Sequence, residues 1–151
     1  FRGRARDNLG NVGQYPATAQ TQTTVTLLPQ ASVTPFNPSI ITSTSPVTTS
    51  FIVNWTGSAP ASAPITGYTI WYQVTSLTGA VLQPWTQWQS FAAGVTSANF
   101  TPTFGSALYS FEATATNEFG SSPFTGQANA AMIVDLNDTI KPQMYLPVSR
   151  K

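Results

Sequence analysis

Two carboxylates stand in the interior of the chain, Glu112 and Glu118, six residues apart, with Asp7 far ahead of them and Asp135 and Asp138 behind. A pair of carboxyl groups flanking a cleft can hydrolyse a glycosidic bond, one as acid and the other as nucleophile or base. Glu112 falls in an alternating run and Glu118 in the turn that follows it, so both are expected on the outside, in water. No other set of residues offers chemistry. The chain has no His and no Cys, which removes imidazole bases, thiol nucleophiles, Ser-His-Asp sets, the usual zinc ligands and disulfides. No glycine-rich loop of the phosphate-cradling kind is present. The expectation is a non-enzymatic protein with no catalytic residue, no cofactor and no metal ion.

Charge limits the partners as well. Only 7% of the 151 residues are charged and the formal net charge is +1, against about a quarter charged in ordinary soluble domains. The basic residues lie at the two ends, Arg2, Arg4 and Arg6 at the front and Lys141, Arg150 and Lys151 at the back. Such a chain has no electrostatic footprint for nucleic acid. Its three front arginines read as alternate residues on one face of a strand. Ser, Thr, Asn and Gln take the place of charge, which suits strand surfaces and points to an extracellular or cell-surface location. No apolar run reaches the roughly 20 residues of a membrane-spanning helix, so no membrane span is expected. No signal segment is visible, so a secreted protein would be represented here in mature or trimmed form.

The elements are short alternating runs broken by Pro, Gly, Ser and Asn. "SFIVNWTG" puts Phe51, Val53 and Trp55 on one face and Ile52, Asn54 and Thr56 on the other, the period of a half-buried strand. "ITGYTIWYQV" does the same with Tyr68, Ile70 and Tyr72, and "LYSFEATATN" with Tyr109, Phe111, Ala113 and Ala115. No window holds a 3.6-residue period, so the chain is expected to be all-β. The order of these runs, with Trp55 near the end of the second strand, then "ITGYTIWY", "NFTP" and the stretch from Tyr109 to Ser122, resembles a fibronectin type III domain, a seven-stranded immunoglobulin-like sandwich. The resemblance implies a core of Phe51, Val53, Trp55, Tyr68, Ile70, Tyr72, Phe100, Tyr109 and Phe111. It also implies that the Tyr109 hydroxyl bonds back to nearby backbone as a corner tyrosine.

The opening "FRGRARDNLGNVG" aligns without a gap on "FEATATNEFGSSP": Phe1 with Phe111, Gly3 with Ala113, Ala5 with Ala115, Asp7 with Asn117 and Gly10 with Gly120. It resembles the final hairpin of a second domain of the same kind, its second strand expected over the alternating stretch from Ala17 to Leu28. The expected organisation is a partial repeat at 1–28, a linker at 29–35, a complete domain at 36–134 and a tail at 135–151. An isolated hairpin is marginal in water, which leaves two readings. Either the hairpin is what remains of a preceding repeat in a tandem array, or it is donated to a neighbouring copy, adding strands to a sheet edge and generating a head-to-tail polymer. Under the second reading Phe1, Ala5, Val25 and Leu27, with Tyr145 and Leu146 of the tail, are candidate inter-subunit contacts.

Two readings are open for Trp71, Trp85 and Trp88: together on one outer sheet face they form an aromatic patch suited to stacking on a polysaccharide or to a subunit contact, or the loop near Trp85 packs onto the sheet. Asn54, Asn99 and Asn137 begin the three sequons and are candidate glycosylation sites. The function expected is that of an extracellular structural module, a subunit of a surface filament or matrix assembled by donated strands. The alternative is a spacer or carbohydrate-binding accessory domain of a larger secreted protein.

Overall fold

Alternation of apolar and polar side chains becomes alternation of burial wherever a strand has one face on the core. A computed structural model describes residues 2–18, 27–42 and 50–136. Its strands, in chain order, are β1 (Gln30–Val33), β2 (Ile40–Thr42), β3 (Phe51–Ser58), β4 (Gly67–Thr75), β5 (Val81–Ala92), β6 (Ser97–Phe100), β7 (Ala107–Asn117), β8 (Gly120–Ser121) and β9 (Ala130–Asp135). Among the described residues there is no helix. In β3 the side chains of Phe51, Val53 and Trp55 are buried, and those of Ile52, Asn54 and Thr56 exposed.

The strands form two sheets that face each other as a β-sandwich. One sheet has the order β1-β3-β6, all antiparallel; the other runs β2-β9-β7-β4-β5, with β8 paired to the end of β7. Only β2 and β9 run parallel. The nine strand segments exceed the seven expected because the first strand is split into β1 and β2, and the last into β8 and β9, which both pair with β7. Pro35 and Pro38 interrupt pairing after Val33, since proline cannot donate to a ladder, and the chain crosses to the other sheet before β2. The expected linker over 29–35 is therefore corrected. Pro29 is fully buried, Val33 is 1% exposed, and Gln30 to Val33 pair with Ser58 to Trp55, which makes this stretch the first strand of the sandwich. At the other end the ladder runs one residue past the expected boundary, to Asp135.

The core is aromatic. Trp55 lies 4.6 Å from the ring of Phe91 and donates its indole N–H to the Val95 carbonyl at 3.0 Å. Phe51, Phe100, Tyr109 and Phe111 meet in mainly edge-to-face pairs 5.0–6.4 Å apart, the arrangement their ring quadrupoles favour. Tyr68 and Ile70 are buried with them, while Tyr72 is only partly buried and packs on Phe100 and Phe111. The Tyr109 hydroxyl accepts from the Phe104 backbone N–H at 3.0 Å and donates to the Gly105 carbonyl at 3.2 Å, closing the corner that leads into β7.

Candidate functional site

Three places combine functional side chains with a geometry of their own: the outer face of the larger sheet, the amino-terminal hairpin, and the two ends of β7.

On the outer face, β7 presents Glu112 and Thr114 beside Trp71 of β4, which is in register with Glu112. Glu112 is not solvated as expected; it is 3% exposed. Its carboxylate accepts from the Thr125 backbone N–H at 2.7 Å, the Thr125 hydroxyl at 2.8 Å and the Gln127 N–H at 3.1 Å. These bonds strap the segment between β8 and β9 across the sheet and place Phe124 on Trp71, ring centroids 4.6 Å apart, with Trp85 edge-on at 5.7 Å. The Trp71 indole N–H donates to Thr114 Oγ1 at 3.3 Å. The strap is why Phe111 to Ala115 are buried without alternation. Glu118 is exposed in the turn after β7, so the two interior carboxylates do not form a catalytic pair.

Trp88 does not join this face. It packs on the core side, 5.7 Å from Phe91 and 5.2 Å from Phe100, and the expected three-tryptophan patch is corrected to Trp71 and Trp85 under Phe124. Regular alternation already separates residues 85 and 88. A register shift, pairing Ile70 with Gln89 and Trp71 with Gln87, leaves Trp88 as the unpaired bulge residue and then returns Phe91 to the core side.

The amino-terminal hairpin closes about Asp7. Arg6 faces Val12, the Asp7 N–H donates to the Asn11 carbonyl at 3.0 Å, and the Gly13 N–H donates to the Ala5 carbonyl at 2.9 Å. The Asp7 carboxylate accepts from the backbone N–H groups of Leu9 and Asn11 at 3.0 and 2.8 Å and from the Asn11 amide at 2.9 Å. The β7–β8 turn shares two features with it. Asn117 Oδ1 accepts from the Phe119 N–H at 2.9 Å, and glycines of positive φ, Gly120 and Gly10, sit at aligned positions. Arg6 and Thr116 are aligned, yet Thr116 faces Ser121, so the first hairpin is one residue longer in its turn. Arg2 to Tyr15 are exposed, Leu9 at 89%, and the Arg4 guanidinium lies 4.8 Å over the Tyr15 ring. Ala5 is exposed with the rest. Phe1, Val25, Asn137, Tyr145 and Leu146, and the middle of the expected strand from Ala17 to Leu28, lie outside the described residues.

The third place was not legible as a site in the sequence. Asn117, at the last position of β7, donates its side-chain amide to the Leu27 carbonyl at 2.9 Å and the Ala63 carbonyl at 3.3 Å. At the opposite end of β7, the Leu136 N–H donates to Ser106 Oγ at 2.9 Å. The chain thus comes into the sandwich at one end of its central strand and leaves at the other, roughly 33 Å away at about 3.3 Å per strand residue.

A groove of about 440 Å³ lies where the chain crosses between sheets, lined by Pro35, Phe36, Ile41, Ile52 and Met132 among others, none of them titratable. Among the described residues no group of His, Cys, Asp or Glu could hold a metal ion, and no helix is long and apolar enough to cross a membrane. Asn54 and Asn99 are both exposed on the outer face of the smaller sheet, Asn99 opposite Ile52. In comparisons with known proteins, no family model matches the chain and no curated protein matches it.

Proposed function

We propose that this chain is a non-enzymatic, extracellular structural module of the fibronectin type III kind, working as one unit in a series of like units. The observation that carries this reading is the placement of the two chain ends of the sandwich at opposite ends of β7, at Asn117 and at Ser106, which lets units follow one another along a line. The two features shared by the Asp7 and Asn117 turns support it, because the amino-terminal hairpin then belongs to the unit before. So do the strand order, the corner bond of Tyr109 and the near absence of charge.

Donation of the hairpin to a second copy is less well supported. The sandwich already has its own β7 and β9 in place, so a second version of those strands has no gap to fill. Its long edge strand β5 carries Pro84 and three register irregularities against β4, devices that keep an edge from accepting another strand. A sugar-stacking platform is likewise disfavoured, since Phe124 covers Trp71.

Light scattering with size-exclusion chromatography of residues 1–151 tests the reading. A monomer at all concentrations is the expected result. A head-to-tail polymer that disappears when residues 1–28 are deleted would overturn the serial reading in favour of donated strands.

A further inference from the structure

Charge is scarce in this protein, and every cation among the described residues sits in the amino-terminal hairpin, at Arg2, Arg4 and Arg6. We propose that these three arginines form a docking strip for an acidic polysaccharide, whose carboxylate or sulfate groups pair with successive guanidiniums. The choice of a polysaccharide rests on the extracellular part of the reading above; the strip itself does not.

Three observations lead to it. First, the charge is not neutralised from within. Asp7 is the nearest acid in sequence, and its two carboxylate oxygens are taken by the backbone N–H groups of Leu9 and Asn11 and by the Asn11 side-chain amide. Among the described residues none of the three arginines is held by an acid. Second, the spacing suits an extended polymer. Residues 2–6 run without turn or bend, so alternate positions stand roughly 6.6 Å apart at about 3.3 Å per residue. Third, the forks are placed and open. The Arg4 guanidinium lies 4.8 Å over the Tyr15 ring, a contact that leaves its N–H donors for an oxyanion. Arg6 Nη2 lies 3.6 Å from where a Cβ on Gly10 would stand, so the glycine leaves it room over the turn. Gln14, opposite Arg4 by the register that pairs Arg6 with Val12, adds an exposed amide suited to sugar hydroxyls. Other polyanions fit less well. Nucleic-acid binding commonly draws on about 6–10 phosphate contacts or on free aromatic faces for the bases, whereas the hairpin has three cations and one ring that already carries Arg4. A membrane surface meets an obstacle at the tip, where Leu9, the side chain placed to insert, has its N–H on the Asp7 carboxylate at 3.0 Å.

Isothermal titration calorimetry on the full chain reads this, with heparin as the sulfated probe, polygalacturonate as the carboxylated one and dextran as the neutral control. Binding to at least one acidic glycan is expected, weakening as salt is added, with none to dextran. Arg2→Gln, Arg4→Gln and Arg6→Gln are each expected to weaken it about threefold to fivefold, and the three together to abolish it. Tyr15→Leu leaves the charge alone but frees Arg4, and is expected to weaken binding about twofold. Replacing Lys141, Arg150 and Lys151 with Gln should leave binding as it was. The hairpin side chains are exposed, so the unfolding midpoint of the sandwich is expected to stay at the wild-type value in every hairpin variant. No binding to either glycan overturns the strip and leaves the serial module standing. Undiminished binding by the triple arginine variant, or its loss on replacing the three tail cations alone, overturns the strip as well. Tighter arginine-dependent binding to a single-stranded oligonucleotide would overturn both the polysaccharide and the extracellular reading on which it rests, and tighter binding to vesicles of anionic phospholipid the polysaccharide alone.

Discussion

Glu112 and Thr125 meet twice, the backbone N–H and the hydroxyl of Thr125 both donating to one carboxylate oxygen, at 2.7 and 2.8 Å. With the Gln127 N–H on the second oxygen, a carboxylate buried on an uncharged face is satisfied by hydrogen bonds alone, and its role is to hold a strap. Glu112→Ala is expected to cost roughly 1.5–3 kcal/mol, the range for hydrogen bonds to a charged group. The strap should lift and take Phe124 from Trp71, raising the acrylamide quenching of tryptophan fluorescence. Unchanged quenching with an unchanged unfolding midpoint would show that the strap is held by something else.

Trp55 tests the core. It is 1% exposed, packed on Phe91 and Tyr68 and bonded to the Val95 carbonyl. Replacement by Ala leaves a cavity and an unpaired carbonyl, at a cost of about 3–5 kcal/mol. That is a large share of the stability of a domain this size. Trp55→Phe keeps most of the packing and should lose no more than about half as much. Chemical denaturation of both variants checks the order, and a Trp55→Ala midpoint close to that of wild type would contradict it.

The core was legible because it depends on local pattern, and so was the likeness between two turns. Period-2 alternation identified Phe51, Val53, Trp55 and Tyr109 as one-sided positions, and a gapless alignment paired Asp7 with Asn117, whose turns share two features. What could not be read were the features set by strands meeting across the sheets. Glu112 looks exposed by alternation, and its side chain does lie on the outer side of the sheet; only the strap between β8 and β9 makes that side an interior. The position of Trp88 was partly legible, since an odd spacing from Trp85 already separates them in a regular strand, but the bulge that returns Phe91 to the core is a matter of register. Gln30 to Val33 read as linker because four residues are too few to show alternation. The clasp of Asn117 on Leu27 joins residues distant in sequence and left no local signal.

Tyr109 gives a pH dependence at the alkaline end. Its phenol is fully buried, and burial pushes its pKa above the ordinary 10.0, with the nearby Tyr72 adding to the rise and the Phe104 N–H opposing it. A group whose folded pKa is raised keeps its full contribution below the unfolded value. That contribution is lost as pH climbs through the folded one. Stability is therefore expected to hold up to about pH 10 and to fall above it as the unfolded chain ionises first. Tyr109→Phe should flatten that fall while lowering stability at neutral pH by about 1–3 kcal/mol, through loss of the hydroxyl bonds to Phe104 and Gly105. A variant that loses stability above pH 10 as steeply as wild type would assign the alkaline loss to other tyrosines.

Asp7 gives the opposite sign in acid. Hydrogen bonds from the Asn11 side chain first, then from the backbone N–H of Asn11, hold its carboxyl below the ordinary 3.8 against the opposing effect of desolvation, with lesser help from the N–H groups of Leu9 and Gly10. A depressed folded pKa means that the turn is supported by the carboxylate above the unfolded value. That support fades as pH falls through the lower, folded value. Because the group is fully exposed, the effect is confined to the hairpin. Carbon-detected NMR titration should place the Asp7 midpoint below that of an unstructured Asp, with the amides of Leu9 and Asn11 shifting along the same curve. Asp7→Asn recreates the side chain that Asn117 supplies to the β7–β8 turn, keeping a neutral acceptor for the Leu9 N–H. It is expected to leave the turn formed at neutral pH and to abolish the acid transition of those two amides. If the transition persists in Asp7→Asn, the carboxylate does not control the turn, and the likeness between the two hairpins would rest on their glycines instead.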